Sequence, residues 1–229
     1  GLFLVSACEF KGLALDTDQW TPPPAAAVKA EILPREKCAT NVASKQPLFG
    51  DLHIHTSLSM DANSLGTRTY PDDAYAYATG AEIDIFSGKK GVAPKKVKID
   101  RPLDFAAVTD HAEWMAEVSL CVTPGSASYD TDGCKIYRGE DQSLLSKVLG
   151  LKGFRARIGG LIGVSGRRSD VCGDDDEICR EELGNVWAAT QASAERWYDR
   201  SSDCSFTTFH AWEYSHSPYN TKVHRNVVL

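Results

Sequence analysis

The chain has no excess of positive charge, no Cys-x-x-Cys pair, no Gly-x-Ser-x-Gly elbow and no Gly-Lys-Ser/Thr phosphate loop. Each absence removes a class of function. With a net charge of −6 and a pI near 5.5, the chain lacks the clustered Lys and Arg that track a nucleic-acid backbone, so no nucleic-acid partner is expected. The one basic run, Lys89-Lys90 to Lys95-Lys96-Lys98, reads as a solvated turn between two short strands, hinged on Gly88 and Gly91. Without the elbow there is no serine nucleophile of the usual hydrolase kind. Gly159-Gly160-Leu161-Ile162-Gly163 resembles a phosphate loop but lacks its Gly-Lys-Ser/Thr ending. A cysteine-based zinc site is disfavoured for want of the ligand spacing.

What is present is histidine in a pattern. All six histidines fall in or beside four motifs: Asp51-Leu52-His53-Ile54-His55-Thr56, Thr109-Asp110-His111, Phe209-His210-Ala211-Trp212-Glu213-Tyr214-Ser215-His216 and His224-Arg225-Asn226-Val227. Neutral imidazole is the commonest metal ligand, and a His-x-His pair at a strand end sends both rings to one face because strand side chains repeat every second residue.

The 229 residues suffice for one main domain with a sizeable core. Residues 1–8, Gly-Leu-Phe-Leu-Val-Ser-Ala-Cys, read as the remnant of a bacterial lipoprotein signal with Cys8 as the lipidated residue, and a short buried strand is the alternative. Residues 9–46, with Pro22-Pro23-Pro24 and an alanine run, read as a tether, leaving 47–229 as the domain. Six cysteines remain beyond Cys8. An even count fits an oxidising compartment, and Cys121 with Cys134 and Cys172 with Cys179 would each close a short loop, although spacing alone leaves the full pairing open. The expected location is therefore outside the cytoplasm, as a periplasmic or outer-surface lipoprotein whose only membrane contact is the anchor on Cys8.

Leu48 to His55 reads as a buried strand, followed by a helix from Pro71 to about Gly80, a hairpin over 83–100, a second strand from Asp104 to Thr109 and helical character from Ala112 to Leu120. A long helix follows from about Glu177 to Tyr198, and Ser205 to Tyr214 forms a third strand. Strands alternating with helices predict an α/β fold with parallel pairing. In barrels of that kind, functional groups collect at the C-terminal rim of the strands.

A site for two or three divalent ions needs imidazoles to fix geometry and carboxylates to neutralise clustered charge. The candidates are His53, His55, Asp61, His111, Glu213 and His224. Asp61 has turn capping as a rival role. Asp110 could bind metal, but orienting a ligand imidazole is the preferred role. Glu113 either faces the site or caps a helix, and Arg225 would receive a phosphate or carboxylate through its planar fork or else close a salt bridge. Asp110, Glu113 and Arg225 are thus the candidate catalytic residues. His210, three residues before Glu213, falls on the opposite strand face and reads as a satisfied core histidine, while His216 either binds substrate or lies exposed.

Together with Ser59-Met60-Asp61-Ala62, Pro102-Leu103-Asp104-Phe105 and Phe206-Thr207-Thr208-Phe209, these motifs resemble an uncharacterised bacterial family of exported proteins, domain of unknown function 3604 (DUF3604). That family is itself similar to the polymerase and histidinol phosphatase (PHP) superfamily. The resemblance runs from about Leu48 to Leu229. It implies part of a distorted (β/α)7 barrel, up to three ions of manganese, iron or zinc, and phosphoester hydrolysis of a small anionic substrate by a metal-activated hydroxide. It places His53 and His55 as the first ligand pair, Asp61 as the acidic ligand six residues on, His111 in the Asp-His motif, Glu213 as the bridging glutamate and His224 as the next histidine. It also implies that the chain is an N-terminal fragment, because such barrels take further ligands from a later half. Hydrolysis of amides or esters at carbon is one rival, although no strand-end lysine is apparent for it. A surface lipoprotein that holds metal without turnover is another.

Overall fold

The computed structural model describes residues 34–40, 44–86, 92–141, 144–148, 150, 153–162, 166–216 and 222–229. The signal remnant with Cys8, most of the tether, Lys89-Lys90 and Gly163 lie outside the described residues.

The fold is mixed α/β. Strand β1 (Gly50–Ile54) leads through the short helix α1 (Met60–Leu65) into α2 (Pro71–Ala78). Helix α2 starts where the sequence says it should: Pro71 needs no N–H partner, and the Asp73 carboxylate accepts the Tyr70 N–H at 2.8 Å. Strands β2 (Ile83–Ile85) and β3 (Lys95–Val97) form the expected hairpin. Strand β4 (Phe105–Val108) runs into a 3-10 turn (Ala112–Trp114) and then α3 (Met115–Val122). Four short helices without clear periodicity in their residues follow: α4 (Asp132–Arg138), α5 (Leu144–Val148), α6 (Phe154–Ile158) and α7 (Ser169–Cys172). The long α8 (Glu177–Trp197) precedes β5 (Thr207–Thr208), β6 (Ala211–His216) and β7 (Val223–Val228).

The central sheet has the order β1-β4-β5, all parallel. Its middle strand β4 is sealed on both faces, with Ala106, Ala107 and Val108 at most 1% exposed, as a parallel strand under helices requires. Tyr75, Ala78, Ala194 and Phe206 from α2, α8 and the approach to β5 cover it. A second core lies among α3, α4, α7 and α8, around Val118, Tyr137, Leu161 and Val171. Gly50 is glycine for a steric reason: a Cβ there would fall 2.3 Å from the Phe105 ring and carbonyl on the neighbouring strand.

No barrel closes among the described residues, where the sheets have three, two and two strands. Two expectations are corrected. The stretch 48–55 is not a buried strand: Leu48, Phe49 and Leu52 are 67%, 50% and 40% exposed, because β1 is the edge of its sheet and Ile54 is its contact with the core. The single third strand is two pieces. Thr207–Thr208 continue the parallel sheet, the chain shifts at Phe209-His210, and β6 then pairs antiparallel with β7.

Three disulfides are present, Cys121–Cys134, Cys172–Cys179 and Cys38–Cys204. The first two are the local pairs suggested by spacing, and the third fastens residues 34–40 beside the loop after α8. There Glu36 N–H donates to Arg200 O at 2.9 Å and Ala39 N–H to Ser202 O at 2.8 Å. No described helix is long and apolar enough to cross a membrane.

Candidate metal centre

The C-terminal ends of β1 and β4 stop side by side, and each is held there by local hydrogen bonds. Ile54 N–H donates to Thr109 Oγ1 at 3.1 Å, and Thr109 N–H to Ile54 O at 2.8 Å. Thr56 donates both its N–H and its Oγ1–H to the buried Asp110 carboxylate, at 2.5 and 2.6 Å. With the main chain fixed this way, strand alternation sends His53 and His55 to the same side. Their Nε2 atoms lie 3.0 and 2.7 Å from one oxygen, Glu213 Oε2.

Glu213 reaches that position because β6 extends the sheet past the end of β4. Glu213 N–H donates to Asp110 O at 3.0 Å, and His111 and Glu213 form a parallel bridge. Across the β6–β7 ladder, Glu213 faces Asn226 and Ser215 faces His224, so these four share one face of the hairpin. The Asn226 side chain ties that face to β1 by donating to Leu52 O at 2.7 Å. His224 Nδ1 closes on the other Glu213 oxygen, Oε1. His111 Nε2 lies 3.9 Å from Glu213 Oε2 and 3.6 Å from Asp61 Oδ2. Asp61, in the first turn of α1, also sits 3.2 Å from His55 Nδ1. The rings succeed one another at centroid spacings of 5.0 Å (His53 to His55), 4.8 Å (His55 to His111) and 5.2 Å (His111 to His224).

Three overlapping groups result, each with ligand atoms within 4.8 Å of one another: His53, His55 and Glu213; His55, Asp61 and His111; and His111, Glu213 and His224. The donor set suits a divalent cation. Glu213 is fully buried, and its Oε1 touches His224 Nδ1 while accepting no hydrogen bond of acceptable geometry. A buried carboxylate oxygen in that condition is costly unless positive charge faces it. Imidazole with carboxylate is the ligand chemistry of zinc, iron and manganese. His53 is 60% exposed, which leaves the group open to solvent on one side.

The electrostatics follow from crowding. Burial disfavours a charged His55, but the hydrogen bonds and charges of Asp61 and Glu213 outweigh it and hold its pKa up at about 9. His111 is raised for the same reason, against its own burial. Reciprocally, burial would raise Asp61 and Glu213, yet the imidazoles pull both below the usual carboxylate range. Asp110 is pushed up to about 6 by burial, partly offset by the Thr56 hydrogen bonds.

The structure thus brings His53, His55, Asp61, His111, Glu213 and His224 together. Asp110 stands behind them: it braces Thr56 instead of orienting an imidazole. Glu113 does face the site, with Oε1 accepting Ser215 N–H at 2.5 Å and Oε2 3.9 Å from His111 Nδ1. Arg225 is corrected. It pairs with Tyr214 on β7, one residue from His224, so alternation turns its side chain to the face away from the cluster. His210 lies apart and half-buried, its Nε2 2.7 Å from Glu195 Oε1 but its Nδ1 buried without a hydrogen-bond partner among the described residues, so the expectation of a satisfied core histidine holds for one nitrogen only, and His216 is exposed at the end of β6. Two serines were not foreseen. Ser59 Oγ donates to Asp61 Oδ1 at 2.6 Å and accepts the His111 N–H at 3.2 Å; Ser215 Oγ lies 2.7 Å from His111 Nδ1. Ser215 was readable in principle, being two residues beyond Glu213 on the same strand face. A fourth group, Glu117 with Cys172 and Cys179, is no metal site, because both sulfurs are consumed in a disulfide.

Among known proteins, the family described as Protein of unknown function (DUF3604) matches residues 42–229. No curated protein and no solved structure matches the chain.

Proposed function

We propose, from the premise that the chain belongs to the DUF3604 family, that it is a divalent-metal-dependent hydrolase of phosphoesters. One observation carries this reading: a fully buried glutamate, Glu213, meets three imidazoles within 3.9 Å and a fourth, that of His224, at its other oxygen. Purely structural histidines have no reason to converge on one carboxylate, whereas a shared carboxylate between ligand imidazoles is what clustered cations require. His53, His55 and Glu213 would hold one ion and His111, Glu213 and His224 a second; His55, Asp61 and His111 form an overlapping alternative group, since one neutral imidazole serves one ion at a time. Manganese, iron and zinc all suit these donors.

Bound ions would polarise a phosphoryl oxygen and acidify water toward neutrality. The protein's own part is placement. Asp110 and Thr109 lock the two strand ends that carry His53, His55 and His111. Glu113 fixes the main chain of β6 at Ser215, while Glu213 and Asp61 supply the negative charge against which cations collect. The exposed side at His53 admits an anionic substrate. The PHP-like barrel belongs to the same proposal, supported by parallel strands whose C-terminal ends carry the donors. So does export, which the three disulfides favour, and attachment through a lipid on Cys8, which rests on the residues of the sequence alone.

The test is phosphate release from a panel of mono- and diesters by the whole protein loaded with Mn2+, Fe2+ or Zn2+, with amides run alongside. Ester turnover that is abolished by chelation and by His55→Ala is the expected result. No release from any ester by the metal-loaded protein would overturn the reading, and turnover of amides alone would move it to chemistry at carbon.

A further inference from the structure

Resting on the metal-centre reading, we propose that Ser215 is a positioning residue that decides which nitrogen of His111 is offered to the cations. A neutral imidazole has one N–H and one lone pair, and which nitrogen carries the proton is set by the partner of the other. In His111 the two nitrogens look in different directions. Nε2 is turned to the carboxylates of Asp61 and Glu213, at 3.6 and 3.9 Å, while Nδ1 is 2.7 Å from Ser215 Oγ. With the proton on Nδ1 and donated to the serine, the Nε2 lone pair is free for a cation. With the opposite tautomer, an N–H points into the donor cluster, and each ligand group that contains His111 loses one of its two nitrogens.

The serine is itself held in place. Its N–H donates to Glu113 Oε1 at 2.5 Å, and the second Glu113 oxygen stands 3.9 Å from His111 Nδ1, so the environment on that side favours a proton there. The ring is confined, with His111 only 6% exposed. Ser215 also faces His224 across the ladder, which places one hydroxyl beside two ligand imidazoles. In many metal sites a carboxylate or carbonyl takes the outer N–H of a ligand histidine. Here a serine does so, with a glutamate behind it. Pairing of β6 with β7 uses main-chain groups and does not call for the hydroxyl.

The experiment compares wild-type protein with Ser215→Ala and Ser215→Thr, measuring metal affinity by calorimetry and the tautomer of His111 by 15N NMR in the zinc-loaded wild type. Expected results are a protonated Nδ1, an affinity about 10- to 100-fold weaker in Ser215→Ala, recovery in Ser215→Thr, and an unchanged far-UV spectrum throughout. A protonated Nε2 in the loaded wild type, or equal affinities for wild type and Ser215→Ala, would overturn the inference even if the protein proves to be a phosphoesterase. Should Ser215→Ala fail to fold, the wild-type tautomer and Ser215→Thr decide. A wild type that binds metal without turnover removes the hydrolase reading and leaves this one standing, whereas a wild type that binds no metal removes both.

Discussion

Glu213 is the residue on which the site turns, because one side chain serves His53, His55, His111 and His224 at once. Glu213→Gln keeps the shape and removes the charge. It is expected to lose at least one bound ion and to weaken the remainder by more than about 100-fold, beyond the usual cost of losing an outer-sphere partner; elemental analysis of dialysed protein checks this. The raised pKa of His55 makes a second prediction for metal-free protein. Folding lifts it from 6.5 to about 9, so the folded state holds that proton more tightly, and the resulting stability is complete below pH 6.5 and lost as pH climbs through 9. Asp61 and Glu213 are shifted down, so their contribution is present above the ordinary carboxylate range and lost on acidification. Thermal melts in chelator should therefore peak on the acid side of neutrality. Cations must displace the same proton, so affinity should rise with pH toward 9, with proton release visible by calorimetry in buffers of different ionisation enthalpy. His53, His55 and Glu213 were legible in the sequence because alternation and the cost of burying a lone acid are local rules. Ser59 was not, because its contacts with Asp61 and His111 arise only when the β1–α1 turn folds against the end of β4.

Among the elements, the packing of α2 on α8 has one polar pin. The Asp72 carboxylate accepts hydrogen bonds from Ser193 Oγ at 2.9 Å, Arg196 at 2.5 Å and Trp197 Nε1 at 2.9 Å, while also sitting in the first turn of α2 where negative charge is favoured. Since the carboxylate is half exposed, Asp72→Ala should cost only about 1 kcal/mol, read as a fall of about 3 °C in Tm by calorimetry. Helices α2 and α8 were readable from caps and length. Helices α4 to α7 were not: each spans seven residues or fewer, too short for periodicity to show, and they are held by tertiary contacts such as Ser128 Oγ to Val171 O at 2.6 Å and by the disulfides. The break between β5 and β6 was equally hidden. Its sequence is uniformly strand-forming, and only the partner changes, from β4 to β7.

At the scale of the molecule, the disulfides divide by loop length. Cys38–Cys204 spans 166 residues, against 13 and 7 for the other two, and so restricts the unfolded chain most. Replacing both Cys38 and Cys204 by serine should cost about 2–4 kcal/mol, measured by urea unfolding, with wild type falling to match it when reducing agent opens this half-buried bond, the other two being fully buried. The sequence indicated the α/β class and the rim placement of the donors, because alternating strands and helices imply both. Burial of β1 was misjudged, since an apolar run does not say whether a strand will lie at the centre or the edge of its sheet.

The strap made by Cys38–Cys204 has a directional consequence. It pins residues 34–40 where the chain enters β5, at the start of the parallel strands, while His55 and His111 emerge where those strands finish. The strap therefore lies at the end of the parallel sheet away from the imidazoles, so that opening it should loosen that end first and leave the spacing of the candidate ligands intact.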